Sequence, residues 1–363
     1  MSDFIVKKKE TARLVHLDIL RILSIYLVAF NHTSEHGYML FADRAESVLY
    51  FPYMAFSVLC KIAVPIFFMI SGALLLPKQE SFKQLLKKRI LRMAVVLIIV
   101  SVPYYYLFLR SNGVSVSNFL TYIYGNNATT ALWYLYSYIG LLLLLPFLRS
   151  MVKGMKQKDF IYLLIGYIVF VGVLPCLEYI LWGGSVTLNE SFSSVLFVTQ
   201  NVFFALVGYY LEHVFEHKNN NKKIILLGIV LSIISIVVTC FITNYQMLRE
   251  GMCSPEQIES FFNCFICIPA ITVYFWIKYA SSKINSQRIQ TAIAIFGSAV
   301  FGVYLIEKIV RLLTRTVYTS LVSFTGSFVA SLVWCFATCC LAFLIIIPLK
   351  YIPGINKLVN KLI

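Results

Sequence analysis

Apolar stretches long enough to cross a bilayer recur along the whole chain, and no other property of the sequence constrains its fold so tightly. They fall near residues 17–36, 52–76, 90–109, 131–148, 160–181, 193–214, 223–243, 260–279, 291–312 and 326–348. Backbone N–H and C=O groups find no water in hydrocarbon, so such runs satisfy their hydrogen bonds internally, as α-helices. Of the 363 residues, 60% are hydrophobic and only 13% charged, well outside the balance of a soluble domain. The expectation is an all-α, polytopic membrane protein of about ten transmembrane helices. It forms one domain over residues 1–363 and is in contact with membrane lipid. The connections are short, which excludes a separate catalytic domain outside the membrane; any chemistry must use the spans and their loops.

The net charge of +15 then orients the chain rather than pointing to nucleic acid. Most of the basic residues fall on one side if the N-terminus is inside: Lys7, Lys8, Lys9 and Arg13, then "KQESFKQLLKKR" (78–89), "RSMVKGMKQKD" (149–159), "KYASSKINSQR" (278–288) and the C-terminal tail. Acidic residues such as Glu35, Glu178, Glu250 and Glu259 lie on the other side. Both termini are therefore expected in the cytoplasm, with the chain in the plasma (inner) membrane as a multi-pass protein. The nine cysteines add little. "CFIC" (264–267) has the spacing of a metal or redox pair, but it sits in a span with no second pair or histidine beside it, so no metal is expected.

The first span is chemically odd. "DILRILSIYLVAFNHTSEH" (18–36) places Asp18, Arg21, His32 and His36 in or beside an otherwise apolar run. At about 100° per residue, Arg21 and His32 differ by only about 20° around a helix, and all four residues fit within an arc of roughly 60°. The rise of about 1.5 Å per residue separates Arg21 and His32 by roughly 16 Å along the axis. A polar stripe of this kind must face protein or water, since ionisable groups are costly against lipid. Taken one at a time these residues have ordinary explanations, Asp18 and Arg21 as an i,i+3 pair and His32 with His36 as a helix end in the headgroups. Their alignment on one face argues for more.

Arg21 to His32, an Arg and a His separated by ten residues, resembles the first transmembrane helix of the acyltransferase-3 family of integral membrane O-acyltransferases. Four further stretches are similar to that family in the same order. "VPIFFMISGALLL" (64–76) carries a Phe-Phe and Ser-Gly signature. The basic entry "FKQLLKKRILRMAVVLIIVSVPYYY" (82–106) includes Arg89, Arg92 and Pro103. "LWYLYSYIGLLLLLPFL" (132–148) is a Trp-containing span, and "FGVYLIEKIV" (301–310) a late Gly–Tyr–Leu segment. One departure stands out: many relatives carry His where this chain has Glu307.

The resemblance implies transfer of an acyl group, acetyl first, from cytoplasmic acyl-coenzyme A (acetyl-CoA as donor) to a hydroxyl of a cell-surface glycan or lipid-linked sugar. Such chemistry needs a base or nucleophile, donors for the oxyanion and a site for phosphates. His32 is the one histidine well within an expected span, and imidazole suits a general base, with an acyl-imidazole intermediate as the second choice. Arg21 and Asp18 begin its stripe. Arg89, Arg92 and Lys88 are candidates for the donor's phosphates, Arg being the better fork; three residues apart, Arg89 and Arg92 would share a helix face. Lys87 and Lys88 also serve as plain topology signals. Ser71, Trp133, Tyr134 and His36 are candidate substrate contacts. Glu307, next to Lys308, has three readings: half of a buried ion pair within or between helices, an acceptor for a sugar hydroxyl, or the group that orients His32. The alternative from another class is an exporter of a polysaccharide intermediate, with the Arg21–His32 face lining its path.

Overall fold

A computed structural model describes residues 14–42, 48–109, 113–125, 130–189, 199–215, 221–251 and 255–352. The N-terminal lysines and Arg13, and the tail beyond 352, lie outside the described residues, as do the termini whose cytoplasmic placement the charge pattern implies. The described residues are helical, with no strand among them. Seven helical stretches are long and apolar enough to cross a membrane: Tyr50–Leu75, Phe82–Phe108, Trp133–Gly154, Gln157–Trp182, Asn221–Glu250, Gln287–Leu313 and Arg315–Leu349. The other three expected crossings coincide with shorter helices, Val15–Asn31, Gln200–Tyr209 and Cys267–Ser281.

We number the α-helices in chain order: α1 (Val15–Asn31), α2 (Tyr50–Cys60), α3 (Ala63–Leu75), α4 (Phe82–Leu85), α5 (Leu91–Leu109), α6 (Val116–Gly125), α7 (Trp133–Gly154), α8 (Gln157–Tyr167), α9 (Leu174–Trp182), α10 (Gln200–Tyr209), α11 (Asn221–Glu250), α12 (Pro255–Ile258), α13 (Cys267–Ser281), α14 (Gln287–Leu313) and α15 (Arg315–Leu349). Helix α1 is the hub, packed against α3, α13, α14 and α15. Its Leu17, Leu20, Ile25 and Phe30 are buried together with the polar Asp18 and Ser24. Around it, α3 and α10 make the closest approach: a Cβ on Gly72 would stand 1.8 Å from the Ala205 carbonyl oxygen, and one on Gly208 would stand 1.9 Å from that of Met69. Small residues are the usual means of such contact in a membrane, where lipid is as apolar as a side chain and packing must drive association. At the periphery, α11 turns Leu226, Ile233, Val237 and Phe241 outward and buries Ser232, Ser235 and Thr239 inward.

The irregular positions have local causes. One span is broken between α2 and α3 at Lys61 and Ile62, just before Pro65. A π-helical turn over Leu86–Ile90 joins α4 to α5, and another, Tyr210–Val214, extends α10. Gly326, with φ 77°, kinks α15, so the segment beyond it matches the last expected span.

The first helix corrects the sequence reading. It ends at Asn31, with His32 as its C-cap, rather than running through His36. The Thr33 hydroxyl donates to the Phe30 carbonyl at 2.7 Å and accepts from the Tyr38 amide at 2.9 Å, and Ser34 adopts φ 49°. These local bonds offer the backbone an alternative to another helical turn. His36 falls on a separate 3₁₀ turn, Ser34–His36, and does not extend the stripe on α1.

Candidate active site

A cavity of about 1570 Å³ runs beside α1, and both Arg21 and His32 line it. One wall is the α2–α3 break with the rest of α3, others come from the basic start of α5 and from α7, and α14 closes it. The two ends of α1 thus open into one space, consistent with a polar stripe that must avoid lipid.

At the His32 end the geometry is specific. Nδ1 of His32 lies 2.8 Å from Oε2 of Glu307, a contact that joins residues 275 apart in sequence. Glu307 is buried, and its other oxygen, Oε1, lies 3.4 Å from Nε of Arg311, one turn further along α14. The register of α14 is pinned by two phenols: Tyr104 donates to the Leu305 carbonyl at 3.0 Å, and Tyr304 donates to that of Ala131 at 2.6 Å. A carboxylate opposite Nδ1 holds the proton on that nitrogen and leaves Nε2 with its lone pair. The His32 side chain is 23% exposed and borders the cavity, so the ring can meet a bound molecule while its far side is fixed. Of the three readings of Glu307, the contacts match the one in which it orients His32. Lys308 instead lies over the Phe108 ring, 4.9 Å from its centroid.

At the Arg21 end the charges are organised differently. Nη1 of Arg21 meets Asp18 Oδ1 at 2.5 Å, and Asp18 is fully buried against Gly297, where any Cβ would collide with the carboxylate. Arg89 grips Glu80 through two nitrogens, Nη2 at 2.6 Å and Nε at 2.9 Å. Arg149 bonds the same carboxylate at 2.9 Å and the Leu75 carbonyl as well. Hydrogen bonding from Arg89 and Arg149 holds the Glu80 carboxyl down at about 2. Burial lowers Lys78, with Arg89 adding to the effect. Arg92 is unlike its neighbours: its Nε is buried without a hydrogen-bond partner among the described residues, and the side chain lines the cavity. Lys88 and Arg89 line it too. Arg89 thus turns to Glu80, while Arg92 does not share that partner. The π turn over Leu86–Ile90 shifts the helical phase between them.

Ser71, Trp133 and Tyr134 all border the cavity. Ser71 donates to the Phe67 carbonyl at 2.8 Å, and Tyr134 stacks on Tyr138 at 6.0 Å between centroids. His36 is placed elsewhere, stacked on Tyr318 at 4.7 Å, with its carbonyl accepting from Ser331 at 2.6 Å. Several residues escaped the sequence reading. Glu80 and Arg149 had no signal beyond their charge, whereas Arg311, four residues after Glu307, could have been found from helical spacing. Lys61, at the break between α2 and α3, pairs with Glu259 at 2.6 Å and borders the cavity. His16 joins Glu212, itself 3.1 Å from Lys278, in a clamp between α1, the end of α10 and α13. Cys264 and Cys267 are buried, and no cluster of potential metal ligands occurs among the described residues.

A family model described as an acyltransferase domain, that of the acyltransferase-3 family, matches residues 14–349. No curated protein and no solved structure matches the chain.

Proposed function

The chain belongs to the acyltransferase-3 family and is a multi-pass membrane acyltransferase, and from that premise we propose that it carries an acetyl group from cytoplasmic acetyl-coenzyme A to a hydroxyl of a cell-surface or lipid-linked glycan. The observation that carries this reading is the pairing of His32 with the buried Glu307 in a cavity that also reaches Arg21, Lys88 and Arg92. One space thus offers a poised imidazole and, at its other end, cations suited to a polyphosphate.

In the proposed reaction His32 is the general base. Nε2 takes the proton of the acceptor hydroxyl as its oxygen bonds to the thioester carbonyl carbon. The carbonyl π electrons move to oxygen, and the tetrahedral intermediate then collapses with cleavage of the C–S bond. The imidazolium returns its proton to the departing sulfur. Glu307 keeps the ring in the required tautomer and balances the charge that passes through it, the part a carboxylate plays beside a catalytic histidine. Arg311 keeps a cation beside Glu307. Arg92 meets phosphate oxygens of the donor, its unpartnered Nε being suited to a charge-assisted bond. Arg89 supports this end indirectly by fixing the Glu80 loop.

The test uses purified protein in lipid with labelled acetyl-coenzyme A. Wild type should bind it and release label slowly to water; His32→Ala should bind without release. Full release by a folded His32→Ala protein would overturn the assignment. Glycan export that continues without any label release would favour the exporter instead.

A further inference from the structure

The cysteines take no part in the reaction just described, yet two of them meet across the fold. Cys176 lies on α9, within two turns of its end at Trp182, and Cys264 lies just before α13. Both are buried in a small cluster with Tyr179, Ile242 and Phe261, separate from the main core. The backbone brings them together. Gly172, four residues before Cys176, is pressed on the Cys264 carbonyl, whose oxygen an added Cβ would meet at 2.8 Å. The two thiols share a weak hydrogen bond. Tyr179, three residues after Cys176, fixes the same register: its ring packs on Phe261 at 5.1 Å and beneath the Arg249 guanidinium at 5.8 Å.

The side of the membrane suits a bond between them. Helix α8 begins beside the basic stretch 149–159, and α13 runs out into the basic stretch 278–288. The end of α9 and the start of α13 therefore lie on the opposite side, with Glu178 and Glu259. On the charge pattern that side is outside the cytoplasm, where disulfides form and persist. Other pairings fit less well. Cys335 and Cys339 are one turn apart on α15, where Cβ atoms stand about 5–6 Å from each other, beyond the roughly 3.5–4.5 Å of a disulfide. In "CFIC" the first cysteine turns to Cys176, while Cys267 begins α13 and is fully buried. A Cys176–Cys264 bond would fasten α9 to the segment 259–264. That segment carries Glu259, which holds Lys61 on the cavity wall.

We propose that Cys176 and Cys264 form a disulfide, made as the chain assembles, that clamps the outer wall of the cavity. The inference stands whether or not the acyl-transfer reading does. The oxidant is a disulfide of the exchange class, such as oxidised glutathione or a thiol oxidase outside the cytoplasm. One cysteine thiolate attacks that disulfide, forming a mixed disulfide and releasing one thiol. The second thiolate attacks the first cysteine's sulfur and releases the other. The two cysteines give up two electrons, and their two protons end on the oxidant's two thiols. The experiment isolates the full chain from membranes with N-ethylmaleimide present from lysis, unfolds it in the same reagent and maps its peptides without reduction. A peptide pair linked through Cys176 and Cys264 is expected in most molecules, with maleimide on Cys267, Cys335 and Cys339. A second measurement reads the clamp in the folded protein. In nanodiscs the oxidised chain should unfold about 5 °C above the same chain reduced with a phosphine, since the bond closes a long loop. The difference should vanish in Cys176→Ala, whose unchanged gel-filtration profile reports that it is folded. Three results would each overturn the proposal: maleimide on both Cys176 and Cys264 in most molecules, a bond from either to Cys253, or equal unfolding midpoints for oxidised and reduced wild type.

Discussion

The two ends of the cavity are built from the same helices, yet they solve opposite problems. At the Arg21 end five cations, Arg21, Lys78, Lys88, Arg89 and Arg92, border the space, while Asp18 and Glu80 are the carboxylates that pair with them. Positive charge is left over, and Arg92 Nε is held without a partner. Around His32, by contrast, ion pairs span separate elements, His32 and Arg311 with Glu307 and Lys61 with Glu259. Buried charge without compensation is costly, so a chain keeps it where a ligand supplies the counter-charge. The surplus of cations at the Arg21 end is what the polyphosphate of the proposed donor would meet.

The largest expected effect lies where the two ends meet. His32→Ala should lower acetyl transfer by about 10²–10⁴-fold, the range for loss of a general base, while coenzyme A and glycoside binding both persist. Steady-state transfer and calorimetric binding check this together. Glu307→Gln keeps the shape but removes the charge beside Nδ1, and should lower transfer by about a hundredfold. A pH–rate profile for this variant, altered in shape as well as height, separates a positioning role from simple packing. Gly208→Ala tests whether the ends share one frame. A methyl group pressed against the Met69 carbonyl should cost about 1–3 kcal/mol and lower the midpoint of thermal unfolding, harming both ends alike. Arg92→Ala should break the symmetry, weakening coenzyme A by about tenfold and leaving glycoside binding untouched.

The smallest effect is a pH dependence confined to the Arg21 end. Glu80 is held at about 2, below the roughly 4.3 of an unfolded glutamate. Its stabilisation is therefore fully present above pH 4.3 and is lost as pH falls towards 2. Thermal unfolding between pH 5 and pH 2 should show this decline in wild type and a shallower one in Glu80→Gln. Because the carboxylate is partly solvent-screened, the difference should be modest.

What was legible in the sequence follows from how far each signal reaches. The apolar runs and the Arg21-to-His32 spacing are local, and both survive in the structure, as does the basic start of α5. The stop at His32 was missed because it depends on the Thr33 hydroxyl choosing the Phe30 carbonyl over water, a competition that periodicity does not register. Glu307 stands out in the sequence, but its contact with His32 needed the packing of α14 on α1. Arg89 looked like a twin of Arg92 until Glu80, nine residues earlier, claimed it.

The early termination of α1 has an electrical consequence. Peptide dipoles aligned along a helix leave a partial negative charge at its last carbonyls, worth about 0.3–2 kcal/mol to a cation placed there. By ending at Asn31 the helix puts His32 at that terminus. The same ring thus faces two negative poles, the end of its own helix and the carboxylate of Glu307. A helix that ran on through His36 would have moved the first of these poles a full turn away from the ring.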